Sequence, residues 1–158
     1  MAKSAFQKVL ARFDARLWAS NYKDIAHIRG PITGYPLAKS STWHVGVTSR
    51  TKRHVFFNFQ CWKWGGNFTV NILVSEIYGV PSTRTPTHPF DPFAIGIYRI
   101  GDLMGKPTDI WWYLDGDEYQ FMELRCSPSP AEEDRIAFAV EDVFAELERH
   151  IFSKMPRS

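Results

Sequence analysis

The clearest alternation of apolar and polar residues lies between positions 54 and 75, where two strand-like runs flank Gly65 and Gly66. Glycine reaches positive φ without steric cost, so this pair predicts a hairpin with a two-residue turn, in which Gln60 lies opposite Asn71. Because successive side chains of a strand point to opposite faces, one face is apolar and the other is mixed. The apolar face contains Phe57, Phe59, Cys61, Val70, Ile72 and Val74, and the mixed face contains Asn58, Gln60, Trp62, Thr69 and Asn71.

Apolar residues at helical spacing predict two amphipathic helices, over 4–18 and 131–152. Ser4 and Gln7 match a capping box at the start of the first helix. Ser129 is the predicted N-cap of the second helix. The apolar stripes, which we interpret as core, contain Phe6, Val9, Leu10, Phe13 and Leu17 in the first helix and Ile136, Val140, Val143, Phe144, Leu147 and Ile151 in the second.

Shorter alternating or apolar stretches predict further strands at 25–28, 43–47, 93–100, 109–114 and 119–124. Segments without a period are expected to be long loops near 21–41 and 79–92 and a frayed tail at 155–158. Asp115 to Glu118 predict a hairpin turn between the last two strands. One apolar sheet face and two amphipathic helices predict an α+β fold. We expect a single domain over residues 1–158, in which one antiparallel sheet of five or six strands packs against an N-terminal and a C-terminal helix.

At 158 residues, of which 44% are hydrophobic, the chain is long enough to form one domain around a single core. The two cysteines, Cys61 and Cys126, form no CxxC pair and are predicted to be buried thiols of a reduced, intracellular protein. The first residues lack the apolar run of a signal peptide, and no stretch approaches the length of a membrane span. These features predict a cytoplasmic protein without membrane contact.

The net charge of +2 is unevenly distributed along the chain. Residues 1–79 contain 11 Lys and Arg against 3 Asp and Glu, whereas residues 80–158 contain 8 against 14. A basic half is compatible with nucleic-acid binding. The basic residues are scattered, however, apart from Arg50, Lys52 and Arg53. We therefore expect the two halves to neutralise each other in the fold, and we disfavour nucleic acid as a partner.

The mixed face is the main candidate for function, and three interpretations of it are open. The first interpretation is a solvated sheet face. The second is a buried amide network that fixes the strand register, and the third is a neutral binding surface. A network would be completed by Arg99 or by an indole N–H of Trp111 or Trp112. A binding surface would hold its partner by hydrogen bonds and by stacking on Trp62. The candidate residues are Asn58, Gln60, Trp62, Asn71, Arg99, Trp111 and Trp112.

No strong catalytic signature is present, because the sequence contains no GxGxxG, P-loop, HExxH or GxSxG motif. The five histidines show no metal-ligand spacing, so we expect no metal site and no cofactor. Two alternatives to a non-enzymatic binding function stay open. A metal-dependent hydrolase or nuclease would use the loop carboxylates Asp102, Asp109, Asp115, Asp117 and Glu118. A nucleic-acid surface would use a hairpin that contains Arg50, Lys52, Arg53, Trp62, Lys63 and Trp64.

Four short motifs carry a resemblance to a known family: Asn58-Phe59-Gln60, Phe68-Thr69-Val70-Asn71-Ile72, Arg99-Ile100-Gly101 and Asp109-Ile110-Trp111-Trp112. In this order they resemble the domain-of-unknown-function family 4304, whose members are small, mostly bacterial domains. The resemblance spans most of the chain and breaks after Gln60, where Cys61-Trp62 replace the basic residue and serine of the family pattern. It implies an α+β fold, and it assigns neither an activity nor catalytic residues.

These features together predict a non-enzymatic protein of the bacterial cytoplasm that binds a protein partner, of the immunity or antitoxin type. Abundant aromatic residues serve well as interface anchors. The acidic C-terminal half is suited to a basic partner.

Overall fold

Over residues 4–22, 24–29, 42–48, 52–61, 66–76, 95–115 and 122–155, the computed structural model of the chain shows two long helices against one face of a seven-stranded sheet. The helices are α1 (Ala5–Trp18), the short α2 (Ile100–Leu103) and α3 (Glu132–His150), followed by a 3₁₀ turn at Phe152–Lys154. The strands are β1 (Ala26–Arg29), β2 (Thr42–Val47), β3 (His54–Cys61), β4 (Phe68–Ser75), β5 (Gly96–Arg99), β6 (Asp109–Trp112) and β7 (Met122–Arg125).

The predicted α+β class is confirmed, and the described part of the sheet has one strand more than the upper number expected. Strands β1, β2, β3 and β4 pair antiparallel in sequence order. The free edge of β4 then pairs with both β5 and β6, again antiparallel, and β7 pairs with β6. The long β3–β4 ladder is thus the centre of the sheet.

The predicted faces of the β3–β4 hairpin are confirmed, but its predicted register is wrong by two residues. Asn58 lies opposite Asn71, and residues 62–67 rather than two glycines connect the paired strands. At this end of the hairpin lies a contact that strand alternation does not reveal, since the buried side-chain oxygen of Asn67 accepts the Leu114 N–H (3.2 Å). Since a shift of two is even, each side chain within β3 and β4 keeps its predicted face, while Trp62 lies outside the described residues.

The predicted hairpin turn between the last two strands is also wrong, because β7 runs parallel to β6. Asp109 lies opposite Met122 and Trp112 opposite Arg125. At roughly 3.3 Å per residue, the segment 113–121 can span more than twice the length of β6. It only has to return along that strand, which has four residues. A parallel return is therefore within reach of this connection, although turn chemistry at Asp115 suggests a hairpin.

The core between helices and sheet consists of the predicted apolar stripes. Phe13 of α1 is fully buried, and its ring centroid lies 4.7 Å from that of Phe59 on β3 and 6.2 Å from that of Phe144 on α3. Phe57 and Ile72 belong to the same core. The packing of both helices on this sheet face is confirmed.

Capping of α1 agrees with the sequence, whereas capping of α3 does not. Ser4 Oγ accepts the Gln7 N–H (3.2 Å), and Gln7 Oε1 accepts the Ser4 N–H (2.9 Å). The N-cap of α3 is Ala131, not Ser129. The Ser129 hydroxyl instead donates to Asp134 (2.7 Å) and accepts the Ala131 N–H (3.3 Å), so it stabilises the turn before the helix.

The basic residues of α1 pair with acidic residues of α3. The pairs are Lys8–Glu132 (2.6 Å), Arg12–Glu133 (3.0 Å) and Arg16–Glu141 (3.1 Å). Because both partners of each pair are exposed to solvent, the pairs add little to stability. They confirm that the two halves neutralise each other here, and they occupy carboxylates that we had expected to meet a basic partner.

Several expectations about the ends and thiols of the chain have mixed outcomes. Cys61 is half-buried, and desolvation raises the pKa of its thiol, but Cys126 is exposed rather than buried.

Met155 is buried against Gly46 rather than frayed, whereas residues 156–158 lie outside the described residues. Most of the predicted loops at 21–41 and 79–92 lie outside them as well. Within the described ranges, no helix combines the length and apolar character needed to cross a bilayer.

A cluster of charges joins β7 to α3. Arg125 Nη1 lies 2.9 Å from Asp142 and 3.5 Å from Glu146, and Glu146 lies 3.4 Å from His150 Nε2. Burial lowers the pKa of His150 from its ordinary value of 6.5, and this effect outweighs the opposing attraction of the Glu146 carboxylate. The folded chain therefore protonates His150 less readily than the unfolded chain does.

Replacing His150 with glutamine is expected to flatten the pH dependence of stability below pH 6.5. As the pH falls through this value, the unfolded chain takes up the proton first, so the free energy of unfolding of the unsubstituted protein decreases until the pH passes the lower folded pKa. Urea denaturation of both chains at about pH 7 and about pH 5 measures the effect. An equal decrease in the free energy of unfolding between these two pH values in both chains would contradict the lowered pKa of His150.

Candidate functional site

The polar residues of the mixed face form a row across three strands, which we call the amide row: Asn58, Gln60, Asn71 and Arg99. Asn58 on β3 lies opposite Asn71 on β4, which lies opposite Arg99 on β5. Asn71 Nδ2 donates to Asn58 Oδ1 (3.1 Å) and to Gln60 Oε1 (2.8 Å). Asn71 Oδ1 accepts from Arg99 Nη1 (2.6 Å). Asn71 is therefore the centre of the row, and each of its side-chain polar atoms has a partner within the protein.

Arg99 closes the row and connects it to the loops beside β5. Its Nη1 also donates to Gln60 Oε1 (3.1 Å), and its Nη2 donates to Asp109 Oδ2 (3.2 Å). The Asp102 carboxylate accepts the backbone N–H of Arg99 (2.8 Å) at the start of α2. The side chains of Arg99 and Asp109 are 33% and 38% exposed, so the charged end of the row reaches solvent.

The burial of the row decides between two of the three interpretations of the mixed face. Asn58 and Asn71 are 0% and 1% exposed, so the interpretation as a solvated face is wrong for them. A buried amide without partners is costly, and the partners observed here are the ones that a register-fixing network requires. The geometry therefore favours the network, and the side that Arg99 and Asp109 expose is the part that could contact a ligand.

The two neighbouring tryptophans lie on opposite sides of the sheet. The guanidinium carbon of Arg99 lies 6.0 Å from the ring centroid of Trp111, which is 2% exposed. Trp112 belongs to the core under the helices, where its Nε1–H donates to Asp142 (2.9 Å). Of the predicted site residues, Trp111 thus joins the amide row and Trp112 does not, while Trp62 lies outside the described residues.

Of the carboxylates considered for metal-dependent hydrolysis, the structure describes Asp102, Asp109 and Asp115. Asp102 and Asp109 both interact with Arg99, and Asp115 is exposed. Asp117 and Glu118 lie outside the described residues. Among the residues with described positions, no three His, Cys, Asp or Glu side chains are arranged to hold a metal ion.

Only part of the basic hairpin considered for nucleic acid is described. Lys52 is exposed, and Arg53 Nη2 lies 3.6 Å from Glu76, the residue that follows β4. The remaining members of that group lie outside the described residues: Arg50, Trp62, Lys63 and Trp64.

Two histidines and one carboxylate meet where α1 passes beside β1 and β2. His44 Nε2 lies 2.7 Å from Asp14 Oδ1, and His27 Nδ1 lies 3.3 Å from Asp14 Oδ2. The two imidazole rings stack with centroids 5.1 Å apart. His44 is fully buried and also stacks on Phe57, whereas His27 is exposed and Asp14 is 34% exposed. One partly exposed carboxylate thus contacts a buried imidazole, that of His44, and an exposed one, that of His27.

An open groove of about 510 Å³ borders this cluster, and we call it the Trp18 groove. Its lining consists of Asp14, Ala15, Leu17, Trp18, Ile25, Ala26, His27 and His44. Small-ligand sites span about 300–1,000 Å³, so the groove can admit a side chain or a small molecule. Trp18 is 72% exposed, and no other large hydrophobic side chain of the described residues is exposed.

The Trp18 groove has no signature in the sequence as a whole, because its parts come from distant segments. His44 lies opposite Phe57 in the β2–β3 ladder, so its side chain faces the core even though it alternates with Val45 as a polar residue would. One signal was available in α1 itself. Asp14 is the only acidic residue of that helix and precedes Trp18 by four positions, a spacing that places both side chains on one side of the helix.

No protein-family model, curated protein or solved structure matches this chain. The resemblance to the domain-of-unknown-function family 4304 therefore stays a prediction. Its motifs acquire a physical meaning, however, because they contain Asn58, Gln60, Asn71, Arg99 and Asp109, which form one hydrogen-bonded unit in the fold.

Proposed function

We propose that the chain is a non-enzymatic protein-binding domain whose partner contacts the Trp18 groove. The observation that carries this proposal is the 72% exposure of the Trp18 indole beside an open groove of about 510 Å³. Tryptophan is the residue type most enriched among the energetic anchors of protein interfaces, because it buries a large rigid surface on binding.

The surroundings of Trp18 support the same function. The groove is apolar at Leu17 and Ile25, and it presents polar groups at Asp14 and His27. A mixture of an apolar anchor and a few oriented polar groups is typical of the centre of a specific interface. These groups lie on α1 and on or just before β1, and a surface that regular elements form in the free chain binds with a smaller entropic cost.

A partner-neutralising role of the immunity or antitoxin type is the form of this function that we favour. The absence of a catalytic signature in the sequence and the richness in aromatic residues motivate it. The acidic start of α3 no longer supports a basic partner at that helix, because Lys8, Arg12 and Arg16 pair with it internally. The proposed contact therefore moves to α1 and β1.

Replacing Trp18 with alanine is expected to reduce recovery of the partner at least about tenfold, because an anchor tryptophan typically contributes 2 kcal/mol or more, roughly a thirtyfold change in affinity. Affinity purification of the tagged chain from its native host, with quantification of the copurified protein, measures the effect. Glu148→Ala is the matched control, since Glu148 is exposed on α3 and lies outside the groove lining. Failure to recover any stoichiometric partner with the unsubstituted chain, or equal recovery with Trp18→Ala, would contradict the proposal.

A further inference from the structure

We infer that the Trp18 groove receives an arginine side chain of the partner, whose guanidinium group binds Asp14 and stacks on the Trp18 indole. This inference rests on the proposed protein-binding function and specifies the chemistry of its partner. Charge, helix spacing and the acceptor capacity of Asp14 carry it.

The first argument is charge. Asp14 is the only acidic residue of α1, and the three basic residues of that helix are engaged with α3: Lys8, Arg12 and Arg16. The ion-pair partners of Asp14 among the described residues are His27 and His44, which carry charge only when protonated. With both histidines neutral, the negative charge of this carboxylate, which is 34% exposed, is paired with no cation among the described side chains. A cation complements that charge.

The second argument is the placement of the indole. Trp18 follows Asp14 by four residues, so the two side chains are neighbours on the helix surface, with Cβ atoms about 5–6 Å apart. A cation placed over an indole face gains about 0.5–1 kcal/mol at an exposed site. The Asp14 carboxylate and the Trp18 indole are therefore close enough for one cation to contact both.

The third argument selects arginine over lysine. A carboxylate has about four acceptor positions, and His44 and His27 contact one on each oxygen of Asp14. At least one acceptor position is then left on each oxygen, the number that the parallel N–H pair of a guanidinium requires, and a guanidinium is planar and also stacks on aromatic rings. An ammonium group forms neither the bidentate contact nor the stack.

The test uses the short peptide acetyl-Gly-Arg-Gly-amide and its counterpart with citrulline, which has nearly the same shape but no charge. Titration of the isotope-labelled chain at about pH 8 is followed by NMR through the indole N–H signal of Trp18, identified by its absence in Trp18→Ala. We expect saturable shifts of that signal with the arginine peptide and at least about tenfold weaker binding of the citrulline peptide. Equal binding of both peptides, or no shift at 50 mM (about the weakest binding this titration resolves), would overturn the inference.

The variant Asp14→Asn separates charge from structure. Asparagine keeps an oxygen that can accept the hydrogen bond from His44, so the fold is expected to persist while the charge is lost. Binding of the arginine peptide is expected to fall at least about tenfold in this variant, and unchanged binding would overturn the inference. Should the variant melt early, the citrulline comparison in the unsubstituted chain decides alone.

The outcome for the inference is separable from that for the proposed function. If Trp18→Ala loses the copurified partner while Asp14→Asn retains it, the binding function stands and the arginine contact fails. If the arginine peptide binds as expected but the tagged chain recovers no partner, the contact stands and the proposed function fails.

Discussion

Replacing Asn71 with alanine is expected to lower the free energy of unfolding by about 2–4 kcal/mol, although its side chain is polar and lies on the sheet face opposite the helices. Its amide donates to Asn58 and Gln60 and accepts from Arg99. Its removal leaves three polar groups short of a partner, and a buried group without its partner costs about 1–3 kcal/mol. Partial exposure of Arg99 and Gln60 lets water compensate some of that loss, so the total stays below the simple sum. Urea denaturation with an unchanged m-value measures the effect.

A double-mutant cycle with Gln60→Ala shows whether the amide row acts as a unit. Gln60→Ala alone is expected to cost about 1–3 kcal/mol, and the double variant clearly less than the sum of the two single variants, because both remove the same hydrogen bond. Gln7→Ala in place of Gln60→Ala is the matched control, since its partner is Ser4 and additivity with Asn71→Ala is expected. If the losses in the free energy of unfolding for Asn71→Ala and Gln60→Ala are additive, the network interpretation is wrong and the amide row is better interpreted as a binding surface.

Replacing Phe13 with alanine is expected to have the largest effect on stability, about 3–5 kcal/mol. Phe13 is fully buried and is the ring through which α1 reaches both Phe59 on the sheet and Phe144 on α3. The substitution removes that contact and leaves a cavity. Since a domain of this size is stable by only about 5–15 kcal/mol, the milder Phe13→Leu provides a second measurement if the alanine variant does not fold.

Trp18→Ala on the same helix is the control for Phe13→Ala. Trp18 is 72% exposed, so its loss is expected to change the free energy of unfolding by no more than about 0.5 kcal/mol. Thermal or urea denaturation of both variants compares a large buried ring with a large exposed ring in one element. A loss above about 2 kcal/mol for Trp18→Ala would mean that the indole stabilises the fold and would remove the basis for an interface there.

The composition of each sheet face could be predicted from the sequence, because alternation depends only on parity. Any even shift of the register leaves the same side chains together on one face, as for Phe57, Phe59 and Ile72. The exact length of the hairpin loop is not needed for this prediction. The register itself could not be predicted, since alternation does not fix the length of the connecting loop, and Asn67 at its end contacts the Leu114 N–H from a segment 47 residues away. The parallel direction of β7 could not be predicted for a similar reason. Turn residues determine only the local path of the backbone, and they do not determine which strand pairs with which or in which direction.

The amide row was predictable in part. Alternation placed Asn58, Gln60 and Asn71 on one face, and the need of a buried amide for partners suggested Arg99 as the residue that completes the network. The Trp18 groove was not predictable, since Asp14, His27 and His44 come from three elements whose packing no local pattern specifies. Sequence reasoning therefore found the polar group that organises the sheet and missed the surface that we propose for binding.

Site-specific photocrosslinking tests that surface most directly. A photoreactive phenylalanine derivative is placed at Ala15, an exposed residue of the groove lining, in one variant that keeps Trp18 and, as the exposed control on α3, at Glu148 in another. After irradiation in the native host, we expect one protein to be covalently attached at position 15 in high yield and not at position 148. Equal attachment at both positions, or none at position 15 while the chain still copurifies with a partner, would contradict the proposed binding surface.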